Sequence, residues 1–224
     1  MRSIMGVIGC LLTLLTIGAQ HPSALEAKLA RAGLVDLQTI DSTLCIRLMY
    51  AREDNFTGRV LYTHLTRAWL LPEAAHALAR AQQLLRREHP GYTLVVFDAT
   101  RPMSVQARMW KAVEGTQKAI YVSNPAHGGG LHNYGLAVDI SIAKVGGDTI
   151  PMGTKVDYLG RAAHITDEEV RLKRGTLTPE AVRNRRLLRR VMRQAGFKTL
   201  PTEWWHFNYK TRSELRKGGY KPIP

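Results

Sequence analysis

Apolar residues recur at every third or fourth position in several stretches of this chain, a pattern that predicts amphipathic helices. The clearest stretches cover residues 24–32, 72–88 and 183–198. Pro72 suits the first position of the second helix, and the His-Pro-Gly sequence at 89–91 ends it. The third helix should end at Gly196 and turn a basic, solvated face outward.

Runs of β-branched and aromatic residues predict strands between these helices. The runs are "YTLVVFDA" at 92–99, "LAVDISI" at 136–142 and "TEWWHFNYK" at 202–210, with strand character also at 42–51. A polar loop at 52–62 should lead to a short strand, a helix should follow at about 104–114, and residues 148–178 are rich in turn formers. Because strands and helices are interspersed without a regular βαβ rhythm, the predicted fold class is α+β, a single domain with helices packed on a largely antiparallel central sheet.

The N-terminal segment has the layout of a secretory signal peptide, with one arginine, an apolar run from Ile4 to about Ala19, and then polar residues. The run is short for a spanning helix, which needs about 20 apolar residues, and no basic stop-transfer cluster follows it. We therefore expect residues 1–19 to be removed, leaving a domain over 22–224 without a stable membrane span. The expected location is the bacterial periplasm.

The chain carries a formal net charge of +14, which suits anionic partners such as nucleic acid, an anionic membrane or an acidic wall polymer. Nucleic acid is not an expected partner, because no recognition motif accompanies the basic helix and the protein is expected to be exported. Contact with an anionic cell-wall polymer stays open.

Residues of the types that bind zinc occur near the predicted strand ends. His132 and Asp139 flank the sequence "HNYGLAVD", and an ionised carboxylate among such apolar neighbours needs a partner or a metal. In an uninterrupted strand these two side chains would face opposite sides. Gly135 permits a turn between them, so that both can point inward. His206 is the best candidate for a third ligand.

Charged residues that suit the hydrolysis of a carbonyl compound accompany these ligands. Glu203 lies three residues before His206, where a general base acting on a metal-bound water is needed. Arg101 follows the C-terminal end of the strand 92–99 and could stabilise charge on a carbonyl oxygen under attack, with Asp98 orienting it. Each residue alone has a commoner structural explanation. The two tryptophans before His206 should point to opposite sides of the strand, one into the core and one toward the site.

Taken together, the motifs resemble those of the zinc D-alanyl-D-alanine dipeptidases, the group that contains the vancomycin-resistance dipeptidase within the D-Ala-D-Ala metallopeptidases. Matching blocks run in order over about 48–209: "YAREDNFTG", "VVFDATRP", "HNYGLAVDIS", "PMGTKVDY", "NRRLLRRVMRQAGF" and "EWWHF". The wider family shares only the His-to-Asp block and a Glu-x-x-His ending, whereas "DNFTG" and "EWWH" point to the dipeptidase branch. The resemblance implies a catalytic domain over 22–224 that hydrolyses the small dipeptide D-Ala-D-Ala with one zinc ion per chain.

Carried over position by position, the resemblance implies that His132, Asp139 and His206 bind the zinc ion. It implies that Glu203 is the catalytic base. It also implies that Arg101 polarises the scissile carbonyl.

The resemblance assigns supporting residues as well. Asp98 would support the arginine, Asp157 would hold the amino end of the dipeptide, and Tyr50 would line the small pocket. The family typically has a serine one or two residues before the first histidine ligand, and this serine is missing here, because residues 129–131 read Gly-Gly-Leu. In the family this serine lies near the amino end of the dipeptide, so its absence affects the contact with the amino terminus and could loosen the specificity for dipeptides.

Two alternatives remain open. The first is a periplasmic D,D- or L,D-peptidase that trims longer peptidoglycan stem peptides, favoured by the missing serine and the basic surface. The second is a zinc-containing binding module without activity, against which the joint presence of Glu203 and Arg101 argues.

Overall fold

A computed structural model describes residues 22–223, so the predicted signal peptide lies outside the described residues. The strands are β1 Val35–Asp36, β2 Cys45–Ile46, β3 Trp69–Leu70, β4 Tyr92–Asp98, β5 Ala137–Lys144, β6 Lys198–Leu200 and β7 Glu203–Asn208. Five of them form one sheet in the order β2-β4-β5-β7-β6, in which only the β2–β4 pair is parallel. The remaining two, β1 and β3, pair antiparallel in a second sheet.

The helices are α1 Ala24–Arg31, α2 Leu37–Ile40, α3 Pro72–Glu88, α4 Met103–Val113, α5 Glu168–Lys173, α6 Pro179–Gln194 and α7 Arg212–Lys217. The two long helices, α3 and α6, pack against each other, and they also contact the larger sheet, α3 at β4 and α6 at β5, β6 and β7. The predicted α+β class with helices on a largely antiparallel sheet is thus confirmed. Across residues 22–223, none of the helices has the length and apolar character needed to cross a bilayer.

The strand predicted over 42–51 is much shorter than expected. Only β2 pairs with β4, and the chain then turns away from the sheet in a 3-10 turn at Met49–Ala51. The backbone amides of Leu61 and Tyr62 both donate to the Tyr50 carbonyl at 2.8 Å. These contacts fold the 52–62 loop back onto the turn. The short strand predicted directly after this loop lies further along the chain, as β3.

Three short elements in the C-terminal half, α5, β6 and α7, were not predicted. Residues 148–178 contain α5, and the final strand is one arm of a hairpin with β6. Helix α7 has a capping box in which the Thr211 hydroxyl accepts from the Glu214 amide and the Glu214 carboxylate accepts from the Thr211 amide. The Thr-x-x-Glu spacing is a local signal for a helix start, and it was present in the sequence.

The basic helix α6 begins earlier than predicted, at Pro179, and its arginines do not all face solvent. Arg185 is fully buried, so the expectation of a solvated basic face is wrong at this position. Its guanidinium donates to the carbonyl of Met152 at 2.7 Å and to that of Ala162 at 3.0 Å, and it lies 3.4 Å from the Glu168 carboxylate. These acceptors come from a segment distant in sequence, which helical periodicity cannot reveal.

Candidate active site

Most of the predicted site residues line one cleft with a volume of about 350 Å³. Those that line it are Tyr50, Arg101, His132, Asp139, Asp157, Glu203 and His206. Asp98 is fully buried and lies behind Arg101, to which it is bonded. The structure therefore brings together residues that are spread over more than 150 positions of sequence.

The candidate metal ligands come from three elements. His132 lies in a 3-10 turn at Leu131–Tyr134, Asp139 lies on β5, and His206 lies on β7. Asp139 and His206 are directly opposite each other in the antiparallel β5–β7 pair, so their side chains share one face of the sheet.

Gly135 makes the bend between the turn and β5. Its φ is +66°, in the left-handed region that favours glycine. A Cβ atom at this position would lie 3.2 Å from the Leu71 nitrogen and 3.2 Å from the Thr100 hydroxyl oxygen. The bend expected from the sequence is confirmed, and it directs the His132 side chain toward Asp139.

Three potential ligand atoms face one another in this cluster. The Nδ1–H of His132 donates to the Ala99 carbonyl at 2.6 Å, and Nε2 of His206 lies 2.9 Å from the Asn208 side-chain oxygen. In the neutral tautomers that match these outward bonds, His132 Nε2 and His206 Nδ1 carry the lone pairs. They lie 3.2 Å apart, and Asp139 Oδ1 lies 3.3 Å and 3.0 Å from them.

This triangle fits a zinc ion. Ligand atoms bound at about 2.0–2.1 Å in a tetrahedron lie about 3.3 Å apart, which matches the observed separations. Histidine ligands of metals usually donate their second ring N–H to a carbonyl or carboxylate, as both rings do here toward oxygen acceptors. Without a cation or an added proton, three lone pairs would repel one another at this point. The cluster of His132, Asp139 and His206 could therefore hold a metal ion.

Asp139 is stabilised as a carboxylate by its neighbours. Burial acts to raise the pKa of Asp139, but when His132 and His206 are protonated, their positive charge and hydrogen bonds outweigh burial and hold the pKa below its ordinary value. Arg101 adds a further positive charge, with Nη2 3.7 Å from Asp139 Oδ2.

Arg101 is held in place by several side chains. Its Nε and Nη2 donate to Asp98 Oδ2 at 2.9 Å and 2.6 Å, and its Nη1 donates to Gln106 Oε1 at 2.9 Å. The Tyr62 hydroxyl donates to the other oxygen of Asp98 at 2.5 Å. The guanidinium also lies 5.3 Å from the centre of the Tyr50 ring. The predicted Asp98–Arg101 pair is therefore present, and sequence reasoning missed Gln106 and Tyr62, for which no local pattern gave a signal.

Glu203 begins β7 and reaches the same cleft as His206. Residues three apart on a regular strand face opposite sides, but the β6–β7 register shifts between Thr199 and Leu200, and Leu200 pairs with Glu203. Glu203 Oε2 lies 4.0 Å from His206 Nδ1. Burial raises the pKa of Glu203 to about 8 against the lowering effect of His206. A cation bound beside it would favour the carboxylate form.

The two tryptophans have different roles, as alternation along the strand predicts. Trp205 lines the cleft. Trp204 packs on the other side, where its Nε1–H donates to the Thr154 hydroxyl at 2.7 Å and its ring lies 5.5 Å from the Arg185 guanidinium. Both side chains are buried, so they also fix the position of β7 in the core.

Asp157 and Tyr50 form a pair at another part of the cleft. The Tyr50 hydroxyl donates to Asp157 Oδ1 at 2.8 Å, and the Phe56 amide donates to Oδ2 at 3.0 Å. Burial raises the pKa of Asp157 to about 7 despite these bonds. Asp157 also has a φ of +69°, an unusual value for a non-glycine residue and one that is found more often at functional sites.

Sequence reasoning also missed polar groups that line the cleft. Ser123 lies next to Gly130, and Arg212 comes from the first turn of α7. Lys198 and Lys210 add further positive charge to the lining. The part of the cleft around Gly130 is therefore polar although the residue itself has no side chain.

Comparison with known proteins gives consistent matches over most of the chain. Residues 30–217 match the family described as D-ala-D-ala dipeptidase. The chain is 34% identical over 174 residues to the D-alanyl-D-alanine dipeptidase of Escherichia coli (strain K12), which covers 78% of this chain and 83% of that protein. It is 29% identical over 195 residues to the D-alanyl-D-alanine dipeptidase of Enterococcus faecium, covering 78% and 89%. A D-alanyl-D-alanine dipeptidase of Streptomyces coelicolor (strain ATCC BAA-471 / A3(2) / M145) is 30% identical over 180 residues, covering 72% and 83%.

Proposed function

Because this chain belongs to the D-Ala-D-Ala dipeptidase family of metallopeptidases, we propose that it hydrolyses D-alanyl-D-alanine to two molecules of D-alanine with one zinc ion per chain. The convergence of three lone-pair donors from His132, Asp139 and His206 on one point supports this function most directly. A carboxyl group and a guanidinium lie beside that point, and the cleft of about 350 Å³ suits a small substrate.

His132, Asp139 and His206 would hold the zinc ion. When bound, zinc supplies the Lewis acidity that makes a water molecule acidic near neutral pH and polarises a carbonyl group. Two nitrogen ligands and one carboxylate oxygen form a donor set typical of catalytic rather than structural zinc sites, because a coordination position is left open.

Glu203 is the proposed general base. Its carboxylate takes a proton from the attacking water as the oxygen adds to the scissile carbonyl carbon, and it returns that proton to the amide nitrogen as the C–N bond breaks. Its buried position keeps the carboxyl group poorly solvated, so a proton is transferred readily in both directions.

Arg101 stabilises the negative charge that develops on the carbonyl oxygen. Asp98 and Gln106 bind its guanidinium at three nitrogen atoms, so the side chain is already oriented before the substrate binds. Asp157, with Tyr50 donating to it, provides a negative group for the ammonium end of the dipeptide.

A dipeptide panel with purified mature protein tests this function. We expect one zinc ion per chain, hydrolysis of D-Ala-D-Ala that a chelator abolishes and zinc restores, and a loss of at least about 10³-fold in kcat for Glu203→Gln with the zinc content retained. Preference for N-acylated or longer stem peptides would instead favour the trimming of cell-wall peptides. Full zinc content with no effect of Glu203→Gln on any peptidase rate would favour a binding module.

We also propose export to the periplasm, on the basis of the signal-peptide pattern in residues 1–19. Cell fractionation and mass spectrometry of the N-terminus test this. A cytoplasmic protein that keeps its first 19 residues would contradict the proposal.

A further inference from the structure

A second cavity lies beside the candidate active site. Its volume is about 490 Å³, larger than that of the cleft, which is about 350 Å³. Met49 and Val156 line this second cavity, and the residues that follow them, Tyr50 and Asp157, line the cleft. The two cavities therefore adjoin along two stretches of chain, and the proposed mechanism gives the second one no role.

A buried hydroxyl that lines the second cavity has no hydrogen-bond partner among residues 22–223. Ser141 lies on β5, two residues after Asp139, and only 2% of its surface is exposed. Its Oγ is buried and forms no hydrogen bond within this part of the chain. Burying a hydroxyl without a partner is costly, so a polar ligand atom in the cavity would remove a cost that the free protein bears.

Arg47 brings a positive charge to the same cavity. Its Nη2 donates to the Gly147 carbonyl at 2.8 Å, and no carboxylate of the described chain lies within ion-pair distance of its guanidinium. Arg52 and Lys155 add two positive charges to the lining. The one carboxylate of the lining, that of Asp54, pairs with Lys155 at 3.1 Å. The cavity as a whole therefore attracts an anion.

Much of the remaining lining is apolar or aromatic. Phe97 and Trp204 contribute rings, and Met49 and Met152 contribute thioethers. The indole N–H of Trp204 already donates to the Thr154 hydroxyl at 2.7 Å, so the ring offers the cavity an apolar surface. Methionine and aromatic side chains make favourable contacts with an aromatic ring. An anion that suits this lining therefore carries an apolar body, which inorganic anions lack.

The two polar anchors lie on either side of one strand. Ser141 is opposite Val95 of β4, and the Arg47 amide donates to the carbonyl of Val96 on the same strand at 2.9 Å. Because neighbouring strands lie about 4.8 Å apart, the Cα atoms of Arg47 and Ser141 are separated by about 10 Å. A long arginine side chain and one small ligand are sufficient to span this separation.

We propose that the second cavity binds a small aromatic carboxylate, with its carboxylate group between the Arg47 guanidinium and the Ser141 hydroxyl. The guanidinium supplies charge-assisted N–H donors, and the hydroxyl supplies a further donor. The rings and thioethers of the lining hold the aromatic body. This inference is independent of the proposed dipeptidase function, because it involves neither the candidate metal ligands nor Glu203.

Benzoate is the probe, benzamide is its uncharged analogue of nearly the same shape, and inorganic phosphate is an anion without an apolar body. In calorimetric titrations of purified mature protein we expect one benzoate site per chain with a Kd of about 1 mM or tighter, and benzamide should bind at least about 10-fold more weakly. Phosphate should not bind at this site. In nitrogen–proton NMR spectra, benzoate should shift the indole signal of Trp204 and leave those of Trp69 and Trp110, which lie outside the cavity.

Two variants locate the carboxylate. Arg47→Gln should weaken benzoate binding at least about 10-fold and leave benzamide binding within about 2-fold. Arg59→Gln is the matched control, because it removes an exposed positive charge outside the cavity, and it should alter neither ligand. Ser141→Ala should weaken benzoate binding about 3-fold or more without lowering the urea midpoint, since its hydroxyl forms no bond within residues 22–223 of the free protein.

Several outcomes would overturn the assignment. They are no benzoate binding up to about 10 mM, equal affinity for benzoate and benzamide, phosphate binding as tight as that of benzoate, or a benzoate affinity that neither variant changes. Displacement of benzoate by D-Ala-D-Ala in Glu203→Gln would place the probe in the cleft and would also overturn it. If the chain hydrolyses no dipeptide, the proposed function fails, and these binding measurements still decide the inference.

Discussion

Replacing Arg185 with methionine should lower the free energy of unfolding by about 3–5 kcal/mol. Burial lowers the pKa of Arg185 to about 10, so the side chain is still charged at neutral pH. Its guanidinium contacts two backbone carbonyls, of Met152 and Ala162, the carboxylate of Glu168 and the ring of Trp204. Methionine is flexible and can fill most of the vacated volume, so the loss comes mainly from the polar contacts.

The magnitude follows from these contacts. The buried Met152 carbonyl would lose its donor, at a cost of about 1–3 kcal/mol, and the partly buried Ala162 carbonyl adds about 1 kcal/mol. Loss of the guanidinium over the Trp204 ring adds about 1 kcal/mol. Glu168 would not be left alone, because Arg189 still donates to both of its oxygens, at 2.9 Å and 2.5 Å.

Urea unfolding of the mature protein at neutral pH, followed by tryptophan fluorescence and circular dichroism, measures this loss. Arg186→Met is the control: its side chain is 55% exposed and pairs with the exposed Glu169, so the expected change is below about 1 kcal/mol. A loss under about 1 kcal/mol in Arg185→Met, or equal losses in the two variants, would refute the idea that the buried guanidinium holds residues 152–162 against α6. A further consequence is a raised KM, because that segment includes Asp157.

Two further predictions concern Asp157 in the cleft and Gly135 in the bend before β5. The pKa of Asp157 is about 7 in the folded chain and about 3.9 in an unfolded one. Between these pH values the folded state holds a proton that the unfolded state has lost. The free energy of unfolding therefore falls as pH rises, by up to about 1.4 kcal/mol per pH unit. Asp157→Asn should reduce this slope in urea titrations from pH 4 to 7 by up to about 1.4 kcal/mol per pH unit, and the raised pKa of Glu203, about 8, accounts for a slope that remains. An unchanged slope would show that Asp157 does not contribute. Gly135→Ala should cost about 2–3 kcal/mol and weaken zinc binding in chelator competition, because its Cβ would press on Leu71 and Thr100. Gly58→Ala is the control, because Gly58 has a similar φ of +64° but an added Cβ would have nothing within 4 Å. It should cost only about 1 kcal/mol and leave the zinc affinity unchanged. Equal effects at the two glycines would contradict the role of Gly135 in positioning His132.

The sequence by itself determined the long elements and the identity of the candidate metal ligands. The apolar stripe and Pro72 predicted α3 correctly, and the β-branched runs predicted β4 and β5, because burial of one face imposes a period on the sequence. Asp139 was recognisable because a carboxylate interrupts an apolar segment, where it needs a partner, whereas His132 and His206 were proposed from their residue type, their positions and the resemblance. Gly135 was recognisable because a reversal of direction at that point needs a residue that tolerates positive φ.

Only the tertiary structure decided which distant groups meet. The irregular β6–β7 pairing brings Glu203 to the same cleft as His206, although regular alternation would separate them. The same holds for the burial of Arg185, and for Ser123 filling the space beside Gly130. Periodicity reports which face of an element is buried, but the partner of a buried polar group comes from another element, and its distance depends on how the whole chain packs. Sequence therefore indicated the ligand types of this site, and only the folded chain fixed their outward hydrogen-bond partners, their separations and the charge around them.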